Sequence, residues 1–125
     1  MLSQKEKEFL ESQWICRLAT ITSDGWPHNV PVGYAFDGES LYISSDPDAR
    51  KVRNIRVNPR VCLIVDVVEG KKGVMIQGEA KLIESGEEFE KAMELMEKQR
   101  GWRRSKPGEQ VIIKVKPLRK TSWRI

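Results

Sequence analysis

The chain alternates between apolar and polar residues over several short runs, which is the pattern of half-buried β-strands. Residues 15–22 and 74–83 follow a period of two, so that one face of each run is apolar. Residues 60–68 are almost entirely apolar, as expected of a strand that is covered on both sides. The other strand-like runs are 28–36, 40–45, 110–116 and 121–125. The pattern therefore predicts a mainly β protein.

Three other segments have apolar residues at helical spacing, and we expect helices over 3–13, 47–57 and 86–100. Ser3 and Glu6 have the spacing of a capping box at the start of the first helix. For the second helix, Asp46 is the predicted N-cap and Pro47 the first helical residue. The methionines of the third helix are expected to fill the core rather than to contact a cofactor.

The connections between the strands are short, which favours an antiparallel sheet. Asp-Gly pairs at 24–25 and 37–38 are strong hairpin signals, and the chain has no strand–helix alternation and no Gly-rich phosphate loop. Because Pro31 cannot donate a ladder hydrogen bond, the run over 28–36 is expected to be an edge strand, to be bulged or to face a ligand. We expect a single domain over residues 1–125, built as an antiparallel barrel with peripheral helices.

Composition narrows the classes of function. No apolar run approaches the roughly 18 residues that span a bilayer, and the N-terminus lacks the apolar centre of a signal peptide. We therefore expect a cytoplasmic protein that binds no membrane. Cys16 and Cys62 lie far apart in strand-like runs and His28 is the only histidine, so no metal site is predicted. The net charge of +4 favours an anionic partner without identifying it.

Much of the positive charge is local, since residues 50–60 contain five basic residues and no acidic one. A nucleic-acid site would need aromatic residues among the basic ones, and residues 47–57 contain none, so no nucleic-acid partner is expected. Two interpretations stay open on the residues alone. One is a solvated helix whose arginines pair with surface acids. The other is a socket for a single phosphate group.

The phosphate socket is supported by the chemistry of the residues around the helix start. Ser44 and Ser45 end a strand, and the helix that follows presents free N–H groups and its positive dipole end to the same place. Lys51 flanks the apolar face of this helix, and Arg50 can offer a bidentate fork to an anion. Asp46 and Asp48 carry carboxylates that would repel a phosphate unless capping turns them away.

Six short motifs follow one another over residues 15–84, and their order is more specific than any one of them. They are DGWP (24–27), PV (31–32), SS (44–45), RKVRNI (50–55), NPRV (58–61) and GEAKLI (78–83). In this order they resemble the pyridoxamine-phosphate-oxidase-like family of FMN-binding split-barrel proteins.

The resemblance implies a six-stranded antiparallel split β-barrel that forms a homodimer, with one FMN in each of two clefts at the subunit interface. The phosphate would be held by Ser45, Arg50 and Lys51, and Ser44 is a further candidate for binding the cofactor. The isoalloxazine ring would lie along Asn29, Val30, Pro31, Val32 and Gly33. Gly73 and Val74 would face the flavin of the partner subunit.

The resemblance also limits the activity. The vitamin oxidase of this family has an Arg at the position of Asn29 and a C-terminal Arg-x-His element, and this chain has neither. The expected function is that of an FMN-dependent oxidoreductase acting on an unidentified small-molecule substrate. The alternatives are a relative that binds the deazaflavin F420 or heme, and a flavin-binding module without turnover. His28 is the one candidate for a catalytic proton donor, the alternative being a polar surface residue at a strand end. Trp26, Trp102 and Trp123 are candidates for cleft walls or the dimer interface, the alternative being core packing.

Overall fold

The computed structural model describes residues 1–125 and contains one curled antiparallel sheet with three helices around it. The helices are α1 (Gln4–Ser12), α2 (Arg50–Val57) and α3 (Glu87–Arg100). The strands are β1 (Ile15–Ile21), β2 (Pro27–Gly33), β3 (Ala35–Phe36), β4 (Leu41–Ser45), β5 (Arg60–Val67), β6 (Lys72–Ile83) and β7 (Val111–Trp123). Their order across the sheet is β2-β1-β5-β6-β7-β4-β3, and the curl brings β2 close to β4. No helix is both long enough and apolar enough to cross a membrane.

The mainly β, antiparallel fold class is confirmed, but the sheet has seven strands rather than six. One reason is that the predicted run over 28–36 divides, since β2 ends at Gly33 and β3 begins at Ala35. Tyr34 lies between them and is fully buried, and its hydroxyl donates to the carbonyl of Leu10 at 2.7 Å. Insertion of this side chain into the core breaks the run into two strands.

The two C-terminal runs, which were predicted to be separate strands, form the single strand β7. That prediction was wrong because β7 continues through Pro117, which pairs with Gly78 of β6. The register shifts between Gln77 and Gly78 at this point. Such an irregularity accommodates a residue that cannot donate to the ladder.

The inner side of the curled sheet encloses a core of 18 buried residues. Helix α2 closes one end of this core through Val52 and Ile55. The side-chain amide of buried Asn54 donates to the Oγ1 of Thr20 at 3.0 Å, which fixes the rotation of α2 against β1. A second cluster of eight buried residues lies under α3 and includes its methionines, so the prediction that they fill core is confirmed.

Helix α1 is tied to the sheet through its first turn. The Oγ of Ser3 accepts from the Glu6 amide at 3.1 Å, and the Ser3 amide donates to the Glu6 carboxylate at 2.7 Å, which confirms the capping box. The same carboxylate accepts from the Nζ of Lys120 in β7 at 2.7 Å. Burial raises the pKa of Glu6, but hydrogen bonds from Lys120, Ser122 and Ser3 outweigh it and lower the pKa to about 2.

Candidate functional site

The ladder between β2 and β1 determines which backbone groups of this edge strand remain available. Beyond one end of the ladder the Tyr34 amide donates to the Trp14 carbonyl at 2.9 Å, and beyond the other the Thr22 amide donates to the Trp26 carbonyl at 2.8 Å. Opposed residues in an antiparallel pair alternate between bonded and non-bonded positions. The even-numbered residues of β2 therefore bond to β1, and the odd-numbered residues direct their N–H and C=O groups away from it.

The open edge of β2 carries backbone donors and acceptors at three odd-numbered residues. Asn29 and Gly33 each present an N–H and a C=O, whereas Pro31 presents only a C=O. The missing N–H of Pro31 falls where no bond to β1 is needed, which confirms the prediction of an edge strand. These residues face the outer side of the sheet, while half-buried Val30 and Val32 face the core.

The two serines at the end of β4 point to opposite sides of the sheet. Ser45 is buried on the side that α2 closes, and its hydroxyl donates to the carbonyl of Asp46 at 3.1 Å. The Ser44 hydroxyl donates to the Oε1 of Gln110 at 2.9 Å, on the side that α3 covers. The structure therefore brings only Ser45 to the start of α2.

Helix α2 begins at Arg50 with Ala49 as its N-cap, so the predictions of Asp46 as cap and Pro47 as first helical residue were wrong. The Asp46 carboxylate instead accepts from the side-chain amide of the same glutamine at 2.7 Å. No side chain caps α2, and the amides of Arg50 and Lys51 have no hydrogen-bond partner. Two N–H groups at the positive end of the helix dipole are thus free to bind an anion.

Most of the basic residues over 50–60 have no acidic partner. Arg56 forms an ion pair with Glu84 at 2.8 Å. The interpretation of this stretch as a solvated helix predicts such ion pairs for its arginines. Only Arg56 forms one. The cations without an ion pair are Arg50, Lys51, Arg53 and Arg60.

Two of these free cations share a flank of α2 with the residue that docks the helix. Arg50 and Lys51 precede Asn54 by about one turn, so all three side chains project from one side of α2. Asn54 bonds to Thr20 of β1, and Thr20 pairs with His28 of β2. The flank of α2 that carries Arg50 and Lys51 is therefore also the flank that docks on β1 through Asn54.

His28 lies on the core side of β2, whereas Asn29 and Gly33 lie on the outer side. Its Nδ1 is buried and has no hydrogen-bond partner. Leaving such an atom unpaired costs about 1–3 kcal/mol. The candidate proton donor therefore lies on the opposite face of β2 from the outward-facing edge residues.

Gly73 and Val74 lie at the start of β6, three strands away from β2. Val74 is fully buried in the core, so only its backbone is available to a ligand. The indole ring of Trp123 occupies the space that a Cβ on Gly73 would need. Within one chain the structure does not bring this pair to the β2–α2 group, and a shared cofactor site would require a second chain.

A cavity of about 330 Å³ opens between β2, β4 and α3. Gly33 and Ser44 both line it, so it joins two of the residues predicted from the sequence. Trp102 lies directly over Gly33, where an added Cβ would come within 2.7 Å of the indole ring. The lining residues that the sequence did not reveal are Trp14, Met93, Met96 and Arg103. They come from distant parts of the chain, and their only local signal is the aromatic–basic pair 102–103 after α3.

The outer side of the sheet has an uncovered apolar centre. Ile15 is 38% exposed, and the paired residues Ile64 and Met75 are half-buried with no helix above them. A second cavity, of about 430 Å³, lies toward one end of this face and includes Arg60 and Arg119 in its lining. No residue predicted to bind the cofactor lines this second cavity. An apolar face of this kind indicates an interaction surface.

Comparisons with known proteins agree with this architecture. A curated relative, the 5a,11a-dehydrotetracycline/5a,11a-dehydrooxytetracycline reductase of Streptomyces rimosus, is 39% identical over 93 residues. The match covers 67% of this chain and 66% of the relative, so the chain spans about two thirds of the length of that protein.

Two solved structures share the fold over nearly the whole chain. The conserved hypothetical protein Rv2991 of Mycobacterium tuberculosis superposes with a TM-score of 0.82 at 25% identity, covering 98% of this chain and 85% of the other. A Listeria innocua protein described as a candidate pyridoxamine 5'-phosphate oxidase gives 0.80 at 26% identity, covering 97% of both chains. The family model described as pyridoxamine 5'-phosphate oxidase matches residues 2–124. The chain therefore belongs to the family of pyridoxamine 5'-phosphate oxidase-like proteins.

Proposed function

We propose that this protein binds FMN and acts as an oxidoreductase on a small molecule. The observation that carries the proposal is the free basic start of α2, where Arg50 and Lys51 lack acidic partners and their amides lack hydrogen-bond partners. Family membership and a reductase among the relatives support the reaction class. Bound FMN would supply hydride or electron transfer, while the chain supplies binding and orientation.

The phosphate of FMN suits the residues at the start of α2. Two free amides at the positive helix end and two cationic side chains offer charge-assisted hydrogen bonds to one dianion. Each such bond contributes about 1.5–3 kcal/mol. Ser45 precedes the same helix start and could add a hydroxyl to this set. These groups together would anchor the mononucleotide.

The open edge of β2 suits the flat ring of the cofactor. The pyrimidine half of a flavin ring carries both donors and acceptors, and the free N–H and C=O groups of Asn29 and Gly33 match that mixture. Pro31 has little side-chain bulk, so a planar ligand can approach the backbone there, while Trp102 covers the outer face of Gly33 at the end of the strip. We assign the orientation of the ring to this strip of β2.

We further propose a homodimer in which the apolar outer faces of two sheets pack together. Ile15, Ile64 and Met75 would then be covered, and the Gly73–Trp123 pair would come near the cofactor of the partner. Sedimentation equilibrium should give the mass of two chains. A mass of one chain at micromolar concentration would contradict this arrangement.

The substrate is not expected to be pyridoxamine phosphate, because Asn29 replaces the Arg of the vitamin oxidase and the C-terminal Arg-x-His element is absent. The S. rimosus relative is a reductase by its name, which supports reduction of a small molecule as the reaction. The second candidate for the cofactor is the deazaflavin F420, because its phosphate would suit the same socket. Both candidates depend on the same residues of α2.

Side-by-side titration of the purified protein with FMN and F420 tests the proposal. We expect FMN to saturate at one molecule per chain with a shifted visible spectrum. Addition of a reduced nicotinamide cofactor should then bleach the flavin if the protein is an enzyme, and leave it yellow if it is a binding module. A protein that binds neither cofactor would contradict the proposed function.

A further inference from the structure

We propose that the cavity between β2, β4 and α3 is the substrate site and that it takes a flat, conjugated molecule with a negative charge. This inference rests on the proposed function, because it places the substrate next to the cofactor strand. The cavity volume of about 330 Å³ falls at the lower end of the range for small-molecule sites. Its lining determines the chemical class.

The end of α3 positions the aromatic wall of this cavity. Gly101 adopts a left-handed conformation (φ 73°), and its amide donates to the Glu97 carbonyl at 2.8 Å, which ends the helix. The chain then turns back so that the Trp102 indole lies on Gly33 of the cofactor strand. The wall is thus fixed against β2 by close packing, and any side chain at Gly33 would displace it.

The lining is apolar and contains two wide aromatic surfaces. Trp14 and Trp102 provide indole rings, and buried Met93 and Met96 provide thioethers that pack well against aromatic groups. Ligand sites of this kind are mostly apolar, with a few polar groups that orient the ligand. A planar conjugated molecule uses such walls better than a flexible aliphatic one, because it buries more area without losing torsional freedom.

The charge at the cavity is positive. Arg103 lines it and has no acidic partner, whereas its neighbour Arg104 pairs with Glu97 at 3.0 Å and does not line it. No carboxylate lines the cavity, and the hydroxyl of Ser44 is already bonded to Gln110. A free guanidinium binds a carboxylate or an enolate and also stacks on a flat ring. The ligand is therefore expected to carry a negative charge.

The cavity shares Gly33 with the edge strand that we assign to the flavin ring. A substrate held against Trp102 on the cavity side, next to Gly33, would lie at the end of that strip rather than on top of it. Cofactor and substrate would then be neighbours that do not compete. This expectation separates a substrate site from an extension of the cofactor site.

Isothermal titration with 2-naphthoate, a flat anion, tests the assignment on the full chain loaded with FMN. We expect saturable binding that Arg103→Gln weakens by about three- to fivefold, the effect of an exposed ion pair near the upper end of its range. Arg104→Gln is the matched control and should change the affinity by less than about twofold. The neutral analogue 2-naphthamide should be insensitive to Arg103→Gln. Equal effects of the two arginine variants, or no binding of 2-naphthoate, would overturn the inference.

A second readout distinguishes this inference from the proposed function. Flavin absorbance during the same titration reports whether FMN stays bound, and we expect no release. Displacement of FMN by 2-naphthoate would overturn the inference, because the cavity would then belong to the cofactor. Failure of the protein to bind FMN or F420 in the absence of 2-naphthoate would instead refute the proposed function.

Discussion

Replacement of Arg50 and Lys51 with alanine in one double variant should weaken FMN binding far more than it weakens binding of riboflavin, which lacks the phosphate. Two charge-assisted hydrogen bonds at about 1.5–3 kcal/mol each would give a loss of about 3–6 kcal/mol. Arg50 is exposed, so solvent reduces its share. We therefore expect a loss of about 2–4 kcal/mol, which is roughly 30- to 1,000-fold in Kd.

The assay is flavin fluorescence quenching at fixed ionic strength, with FMN and riboflavin titrated in parallel. The matched control is the double variant Arg53→Ala and Arg56→Ala, which removes the same charge from the same helix. Arg53 has no partner and Arg56 has only an exposed pair with Glu84, so the control should fold normally and bind FMN within about threefold of wild type. Similar losses in the two double variants, or equal losses for FMN and riboflavin, would refute the phosphate socket.

Two further substitutions test other parts of the structure. Glu6→Gln should lower the free energy of unfolding by about 3 kcal/mol at pH 7, because it removes a carboxylate whose pKa is depressed from 4.5 to about 2 in the folded state. That stabilisation is complete above pH 4.5 and is lost as the pH falls toward 2. The difference in unfolding free energy between wild type and variant, measured with urea, should therefore be smaller at pH 3 than at pH 7. A difference that does not change with pH would contradict the pairing with Lys120. His28→Phe removes an unpaired buried nitrogen, so calorimetry without flavin should show an unchanged or higher Tm. A clearly lower Tm would show that the imidazole forms a stabilising contact in the folded protein.

Features with a local cause could be predicted from the sequence. The capping box at Ser3 and Glu6 involves residues three apart, and both of its hydrogen bonds are present. Pro31 indicates an edge strand because a missing N–H is incompatible with two ladders, and β2 is an edge. The spacing of the α3 methionines indicates a buried face, because residues three or four apart lie on the same side of a helix. In each case the chemistry of a short segment decides the outcome.

Features that depend on distant residues could not be predicted in this way. The Asp46 side chain could cap a helix, but its carboxylate accepts a hydrogen bond from Gln110, which is 64 residues away in the sequence. Ala49 is the N-cap instead. A Pro inside β7 looks like a strand boundary until the register shift opposite it in β6 is known. The residues around the 330 Å³ cavity come from four separate segments, so only the fold brings them together.

The position of the FMN phosphate in a crystal structure of the complex tests the central claim most directly. The account predicts phosphate oxygens at about 3 Å from the amides of Arg50 and Lys51 and from the Lys51 Nζ. The same structure should show the flavin ring along the open edge of β2. Phosphate bound elsewhere, for example between Arg60 and Arg119 in the outer-face cavity, with the start of α2 empty, would contradict it.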